Sequence, residues 1–139
     1  YHRRLTSEDA GVRLEAARAW SVWEATTSHL LIDEEQVDTF DAPQFALAFA
    51  RIECHYFMHR GFFDTDTQLL DGAAKIRHLP GVIVQGRYDV VCPMETAWAL
   101  HRRWPEARLV VVPDAGHAAL EPGIASALVE ATDAFREAG

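Results

Sequence analysis

Two short apolar runs, residues 82–85 and 109–112, constrain the fold more than any other feature of this sequence. Both runs are rich in β-branched residues, and turn residues bound them: Pro80 and Gly81 precede the first run, and Pro113 follows the second. Strands of this length that are almost entirely apolar are typical of a parallel sheet that is covered on both faces. We therefore predict two buried parallel strands.

The stretch between the two runs predicts the helix that a parallel connection needs. Pro93 suits a first helical position, and apolar residues then recur at helical spacing until Pro105 ends the pattern. Parallel strands are joined by a crossover connection, which is usually a helix. The sequence from Val82 to His117 therefore predicts a strand, helix, strand unit.

Each predicted strand is followed by one side chain with acid-base chemistry. Asp89 follows the first strand and His117 follows the second. Because open α/β sheets place their ligands at the carboxyl ends of the strands, we expect the two side chains to lie close together. Their chain order matches the last two members of the α/β-hydrolase triad, in which serine comes first. The alternative is that Asp89 caps a turn and His117 is a polar loop residue.

The motifs around these two residues resemble those of a known family. GRYDVVCP, WPEARLVVVPDAGH and EPGI resemble the C-terminal part of proline iminopeptidases, which are α/β-hydrolase serine peptidases that release N-terminal proline. The resemblance extends over essentially all 139 residues. Cys54 stands where the family's ENHYF motif has asparagine, and Ala118 follows the histidine where serine is common. Neither position carries a proposed chemical role.

The resemblance implies an α/β fold, namely the C-terminal part of an α/β-hydrolase with a parallel sheet flanked by helices. We expect residues 1–79 to form a helical cap segment and residues 80–139 to form the C-terminal part of the core. Two strands alone make a marginal sheet, so we expect an upstream part of the same protein to complete it. That part should carry the nucleophilic serine in a G-x-S-x-G motif, which this sequence lacks. This chain alone is then expected to be inactive.

Two glutamates border apolar helical stripes in the expected cap segment. Glu24 ends the motif WSVWE, and Glu53 lies four residues after Phe49. The resemblance implies that this pair binds the free amino group of the substrate, a small peptide with N-terminal proline. A cationic amine in a partly dry pocket needs compensating carboxylates. From spacing alone, the alternative is that Glu24 pairs with a surface arginine and Glu53 with Arg51 or His55.

Two long amphipathic helices are predicted in the first half of the chain. Thr6 or Ser7 suits the cap of the first helix, and Pro43 suits the start of the second, which Gly61 ends. The acidic stretch between them, residues 31–41, is predicted to be a solvated loop because carboxylates in a run repel one another. The apolar stripes expected to face the core are Val12, Ala16, Ala19, Trp20, Trp23, Thr27 and Leu30 on the first helix and Phe45, Phe49, Ile52 and Tyr56 on the second.

Charge and cysteine content restrict the partners and the compartment. The net charge of −8 argues against nucleic acid or an anionic membrane as a partner, because both would repel an acidic protein. No apolar run approaches the roughly 20 residues that span a bilayer. Cys54 and Cys92 make no disulfide framework. We therefore expect a cytoplasmic protein without a cofactor.

Other functions remain open from the residues alone. His55 and His59 stand four apart on a predicted helix, but no third convincing ligand and no HExxH order accompanies them, so we expect no metal site. An esterase or amidase with the same scaffold would not require a free amine. A non-catalytic helical module would instead recruit a basic or metal partner through Glu53, His55 and His59.

Overall fold

The computed structural model describes residues 1–138, and this part of the chain divides into two compact units. Residues 1–27 and 31–65 form the first unit, while residues 28–30 and the chain from Asp66 onward form the second. The expected division into cap segment and core at residue 79 stays a prediction. The helices and strands are α1 (His2–Leu5), α2 (Ala10–Ser28), α3 (Glu34–Asp41), α4 (Pro43–Met58), α5 (Gln68–Gly72), β1 (Val82–Gly86), α6 (Met94–Arg103), β2 (Arg108–Val112) and α7 (Pro122–Ala138), with 3₁₀ turns at Arg60–Phe62 and Ala73–Ile76.

The second unit contains the predicted strand, helix, strand arrangement. β1 and β2 pair in parallel, in register from Val82 opposite Arg108 to Gly86 opposite Val112. α6 makes the crossover between them and begins at Met94, one residue later than predicted. The expected α/β architecture, with a small parallel sheet flanked by helices, is confirmed. Within residues 1–138, none of the helices has the length and apolar character that a membrane crossing needs.

The carboxyl end of β1 and the loop after β2 approach each other closely. The Tyr88 N–H donates to the Ala115 carbonyl at 3.0 Å. A Cβ atom on Gly86 would collide with the Gly116 carbonyl oxygen and would also lie 2.8 Å from the Ala115 oxygen. Glycine is needed at position 86 because main chain occupies the space that a side chain would take.

Small side chains make the core of the first unit, and this corrects the predicted stripes. Of the predicted positions Ala16 is buried, but Trp23 is 68% exposed and Ile52 is 61% exposed. The predicted stripes were wrong at these positions because the prediction placed large aromatic and aliphatic residues in the core. Alanines fill the core instead, since their small side chains let helix backbones pack closely. The buried cluster is Leu5, Ala16, Ala17, Ala46, Ala50 and Cys54, with Trp20 and Leu47 packed against it.

The acidic stretch at residues 31–41 contains α3, so the prediction of a solvated loop was wrong. The Asp33 side chain accepts a hydrogen bond from a backbone N–H three residues further on, which caps the helix. Two glutamates in the first turn lie at the positive end of the helix dipole. Phe40 near its end packs against Phe45, with ring centroids 4.5 Å apart. Capping and this apolar contact outweigh the charge repulsion that the prediction relied on.

The cap of the first long helix also differs from the prediction. α2 begins at Ala10, and Asp9 Oδ1 accepts hydrogen bonds from Gly11 N at 2.7 Å and from the next backbone N–H at 3.2 Å. Thr6 instead ends the short helix α1, and Ser7 lies in the turn between the two helices. Asp9 is the better cap because its carboxylate reaches two N–H groups that would otherwise lack a partner.

We predict that Gly86→Ala destabilises the protein by about 1–3 kcal/mol or more, because main-chain atoms must move to admit the methyl group. Gly72→Ala is the matched control, since an added Cβ at that position meets nothing within 4 Å and φ is −73°. We expect Gly72→Ala to be neutral or to stabilise by a few tenths of a kcal/mol. Urea unfolding measures both, and equal stability of the two variants would contradict the close approach at Gly86.

Candidate functional site

Asp89 lies three residues beyond β1, in a turn that holds both of its carboxylate oxygens. Oδ1 accepts hydrogen bonds from the Val91 N–H at 3.0 Å and from the Cys92 N–H at 2.7 Å. Oδ2 lies 3.0 Å from His117 Nδ1. The Asp89 side chain is only 6% exposed. A buried carboxylate that is bonded at both oxygens has little freedom to turn, so its orientation toward His117 is fixed.

Gln85, which the sequence analysis did not single out, supports the same turn from within β1. Its side chain is buried, and Nε2 lies 3.2 Å from Asp89 Oδ2 and 3.0 Å from the Cys92 carbonyl oxygen. An amide donor in this position binds the carboxylate without neutralising its charge. The available signal in the sequence was a single polar residue inside an otherwise apolar strand.

His117 lies five residues beyond β2, and its side chain is 38% exposed. If Nδ1–H donates to Asp89, the neutral imidazole keeps Nε2 as an acceptor, which is the tautomer that a general base requires. The structure therefore brings Asp89 and His117 together as expected. The turn-capping alternative for Asp89 is also realised, since Oδ1 caps the turn while Oδ2 faces the histidine. The catalytic role of the pair stays a prediction.

Glu53, in the first unit, is bound by a tryptophan. The indole N–H of Trp20 donates to Glu53 Oε2 at 2.6 Å. The Trp20 ring is in turn packed by Tyr1, with centroids 5.3 Å apart, and by Phe57, with centroids 5.9 Å apart. This partner differs from Arg51 or His55, which spacing alone suggested. Because the indole carries no formal charge, the hydrogen bond orients the carboxylate without neutralising its negative charge.

Glu24 is half-buried on α2, one helical turn after Trp20. Glu53 lies on α4 and is hydrogen-bonded to Trp20. Trp20 therefore precedes Glu24 by one helical turn and donates a hydrogen bond to Glu53. Trp20 was predicted to face the core, and the role of its N–H as a donor to Glu53 could not be read from the sequence pattern.

His55 and His59 contact each other near the end of α4. Their ring centroids are 4.4 Å apart, and His59 Nδ1 lies 2.8 Å from the His55 carbonyl oxygen. Over residues 1–138, the structure contains no group of three or more histidine, cysteine or acidic side chains arranged to hold a metal ion.

The pKa of the Cys92 thiol depends on the charge of Asp89. Partial burial raises the pKa of the Cys92 thiol, and the neighbouring negative charge of Asp89 raises this pKa further. A thiol with a raised pKa is mostly protonated near neutral pH and is a weak nucleophile. This agrees with the absence of a nucleophile motif around the residue.

Known proteins resemble the chain over nearly its whole length. The model of the family described as "TAP-like protein" matches residues 47–139. The chain is 63% identical over 135 residues to a probable proline iminopeptidase of Leptolyngbya boryana, covering 97% of this chain and 42% of that protein. It is 57% identical over 135 residues to a proline iminopeptidase of Xylella fastidiosa (strain 9a5c), covering 97% of this chain and 43% of that protein. It is 53% identical over 136 residues to a proline iminopeptidase of Arabidopsis thaliana, covering 98% of this chain and 36% of that protein. The chain thus spans less than half the length of these relatives.

We predict that Asp89→Asn lowers the pKa of the Cys92 thiol, because the substitution removes a negative charge that opposes the thiolate. The rate of Cys92 alkylation, followed against pH by peptide mass spectrometry, should rise at a lower pH in the variant than in the wild type. Asp114→Asn, which removes an exposed carboxylate after β2, is the control and should leave the profile in place. An unchanged profile in Asp89→Asn would show that Asp89 does not act on this thiol.

Proposed function

Because the chain belongs to the TAP-like family of α/β-hydrolases, we propose that it supplies the aspartate and the histidine of the catalytic triad of a serine aminopeptidase that releases N-terminal proline. The observation that carries the proposal is the 3.0 Å contact between Asp89 Oδ2 and His117 Nδ1 beyond the ends of two parallel strands. Similarity to proteins named proline iminopeptidases supports the substrate class.

In the proposed reaction, a serine attacks the prolyl carbonyl carbon while His117 takes the serine proton at Nε2. His117 then donates this proton to the leaving amine, which frees the rest of the peptide. Water then attacks the carbonyl carbon of the acyl-enzyme while His117 takes a proton from the water. The ester bond to the serine breaks, proline is released, and His117 returns the proton to the serine oxygen. Asp89 keeps the proton of the neutral ring on Nδ1 and stabilises the imidazolium that forms. We place the serine in a G-x-S-x-G motif on another part of the protein, because this sequence contains none.

We further propose that Glu24 and Glu53 bind the free amino group of the peptide. An exopeptidase must recognise an ammonium and reject a continuing chain, and paired carboxylates meet that need. The hydrogen bond from Trp20 supports this role for Glu53, since a neutral donor orients Oε2 and preserves the negative charge for a cation. Two carboxylates at one site repel each other until a cation lies between them, so substrate binding relieves the repulsion.

The state of the cysteines supports a cytoplasmic location for this enzyme. Cys54 is buried, Cys92 is exposed, and both are free thiols. Free thiols of this kind fit a reducing compartment, where disulfides seldom persist. We therefore propose that the peptides it acts on are cytoplasmic.

The ammonium proposal predicts a substrate-dependent loss in Glu24→Gln and in Glu53→Gln. In the product of the complete reading frame, each variant should lower kcat/KM for a prolyl arylamide roughly a hundredfold or more. This factor corresponds to a loss of about 3 kcal/mol. Both should leave the hydrolysis of an acyl ester without an amine unchanged. Glu34→Gln, at an exposed acid of α3, serves as the control variant.

The wild-type enzyme separates the aminopeptidase from its alternatives. It should hydrolyse the prolyl arylamide and spare the N-acetylated analogue, since acetylation removes the cation. Hydrolysis of both substrates would favour a general esterase or amidase, and hydrolysis of neither would favour a non-catalytic module. Equal losses on the amide and on the ester in the glutamate variants would assign Glu24 and Glu53 a structural role.

The triad proposal predicts that Asp89→Asn lowers kcat by about 10⁴-fold, because the histidine loses its required tautomer and the stabilisation of its charged form. The asparagine oxygen can still cap the turn, so the fold should persist. Steady-state kinetics on the prolyl arylamide measure the effect, with Asp114→Asn as the control. A rate near that of the wild type would remove Asp89 from the catalytic machinery.

A further inference from the structure

A buried carboxylate outside the Asp89 and His117 pair joins the loop that carries His117 to residues 28–30. Glu121 is 9% exposed. Its Oε1 accepts a hydrogen bond from the Gly116 N–H at 2.7 Å, and its Oε2 accepts one from the Leu30 N–H at 3.3 Å. We call these two hydrogen bonds the Glu121 bridge. Glu121 belongs to the EPGI motif, and the sequence pattern alone gave it no role.

Main-chain hydrogen bonds join the same two segments beside the bridge. The Ser28 carbonyl oxygen accepts from the N–H groups of both His117 and Ala118, each at 2.8 Å. Together with the bridge, these bonds engage three consecutive amides, those of residues 116–118. The main chain is therefore held on both sides of the His117 Cα, so the imidazole is placed by a fixed backbone and its own side-chain rotation.

The position of Glu121 before α7 makes this use of its side chain unusual. The Glu121 carbonyl accepts from the Ala125 N–H at 2.9 Å, which starts the helix. A side chain in this position commonly caps its own helix, and glutamate is not among the preferred caps. Glu121 instead directs its oxygens to Gly116 and Leu30. A buried carboxylate is costly unless its oxygens are hydrogen-bonded, and the bridge supplies those bonds.

Gly116 is the residue that this arrangement requires. A Cβ atom at position 116 would lie 3.1 Å from Glu121 Oε1 and 2.9 Å from the Leu30 nitrogen. Any side chain there would press against both partners of the bridge. Glycine at position 116 lets the Glu121 carboxylate reach the N–H of the residue that precedes His117.

We propose that Glu121 is a positioning residue for His117. Its carboxylate holds the main chain of the histidine loop so that the imidazole meets Asp89. The inference rests on the proposed function, in which His117 is the general base. Misplacing a catalytic group by 1 Å can cost about a hundredfold in rate. A carboxylate that binds main-chain amides beside the histidine can therefore govern turnover.

The kinetic test compares Glu121→Gln with Glu130→Gln in the complete enzyme. Glutamine has nearly the same shape, but its NH₂ group cannot accept a hydrogen bond and would face an amide donor. We expect kcat for the prolyl arylamide to fall about 10- to 100-fold with KM unchanged. Glu130 lies exposed on α7, and its replacement should leave both constants at wild-type values. Wild-type kcat in folded Glu121→Gln, or a raised KM with kcat preserved, overturns the proposal.

The ring carbon–proton correlations of His117 in NMR spectra test the placement of the imidazole without any substrate. We expect Glu121→Gln to shift these correlations and Glu130→Gln to leave them in place. Unchanged correlations in Glu121→Gln overturn the positioning role, whatever the enzyme hydrolyses. If the wild type cleaves neither prolyl substrate while the correlations shift as expected, the proposed function fails and the Glu121 bridge stands.

Glu121→Asp keeps the test decisive if the glutamine variant does not fold. Aspartate retains both oxygens but is one methylene shorter, so it can reach one of the two amides at a time. We expect a kcat between those of the wild type and the glutamine variant, an unchanged KM and shifted His117 correlations. Wild-type kcat and wild-type correlations in a folded Glu121→Asp protein overturn the proposal.

Discussion

The close approach of two stretches of main chain, at the end of β1 and in the loop after β2, is the constraint on which the candidate site depends. Gly86 permits it, because an added Cβ would collide with the Gly116 carbonyl. The parallel pairing of β1 with β2 brings both strand ends to one edge, and the 3.0 Å contact of Asp89 with His117 follows from that proximity. Asp89 and His117, which follow different strands in the sequence, thus meet because of the backbone geometry.

Buried polar side chains then convert this proximity into a fixed orientation. Gln85 holds Asp89 from inside the strand, and Glu121 holds the amide that precedes His117. Burying such groups costs free energy unless their hydrogen bonds are made, and losing one partner leaves the full penalty. These hydrogen bonds therefore depend on one another, because breaking one of them leaves a buried polar atom without a partner.

The first unit holds a carboxylate in a defined orientation beside apolar side chains. Its buried cluster consists of four alanines with Leu5 and Cys54, and Trp20 packs against it from the edge. The N–H of Trp20 is available to Glu53. A neutral donor suits a residue proposed to bind a cation, since an arginine in the same place would already have compensated the charge.

The sequence by itself determined the parallel strands, the crossover helix and the pairing of Asp89 with His117, because strand composition, proline positions and chain order are local signals. It also carried the family resemblance. Local patterns missed α3, since a capping aspartate and one aromatic contact outweighed the charge repulsion. They also misplaced the buried face of α2, since alanine packing depends on the facing helix. Only the tertiary structure could assign Trp20, Gln85 and Glu121 their partners, because each hydrogen bond joins groups whose proximity arises when the chain folds.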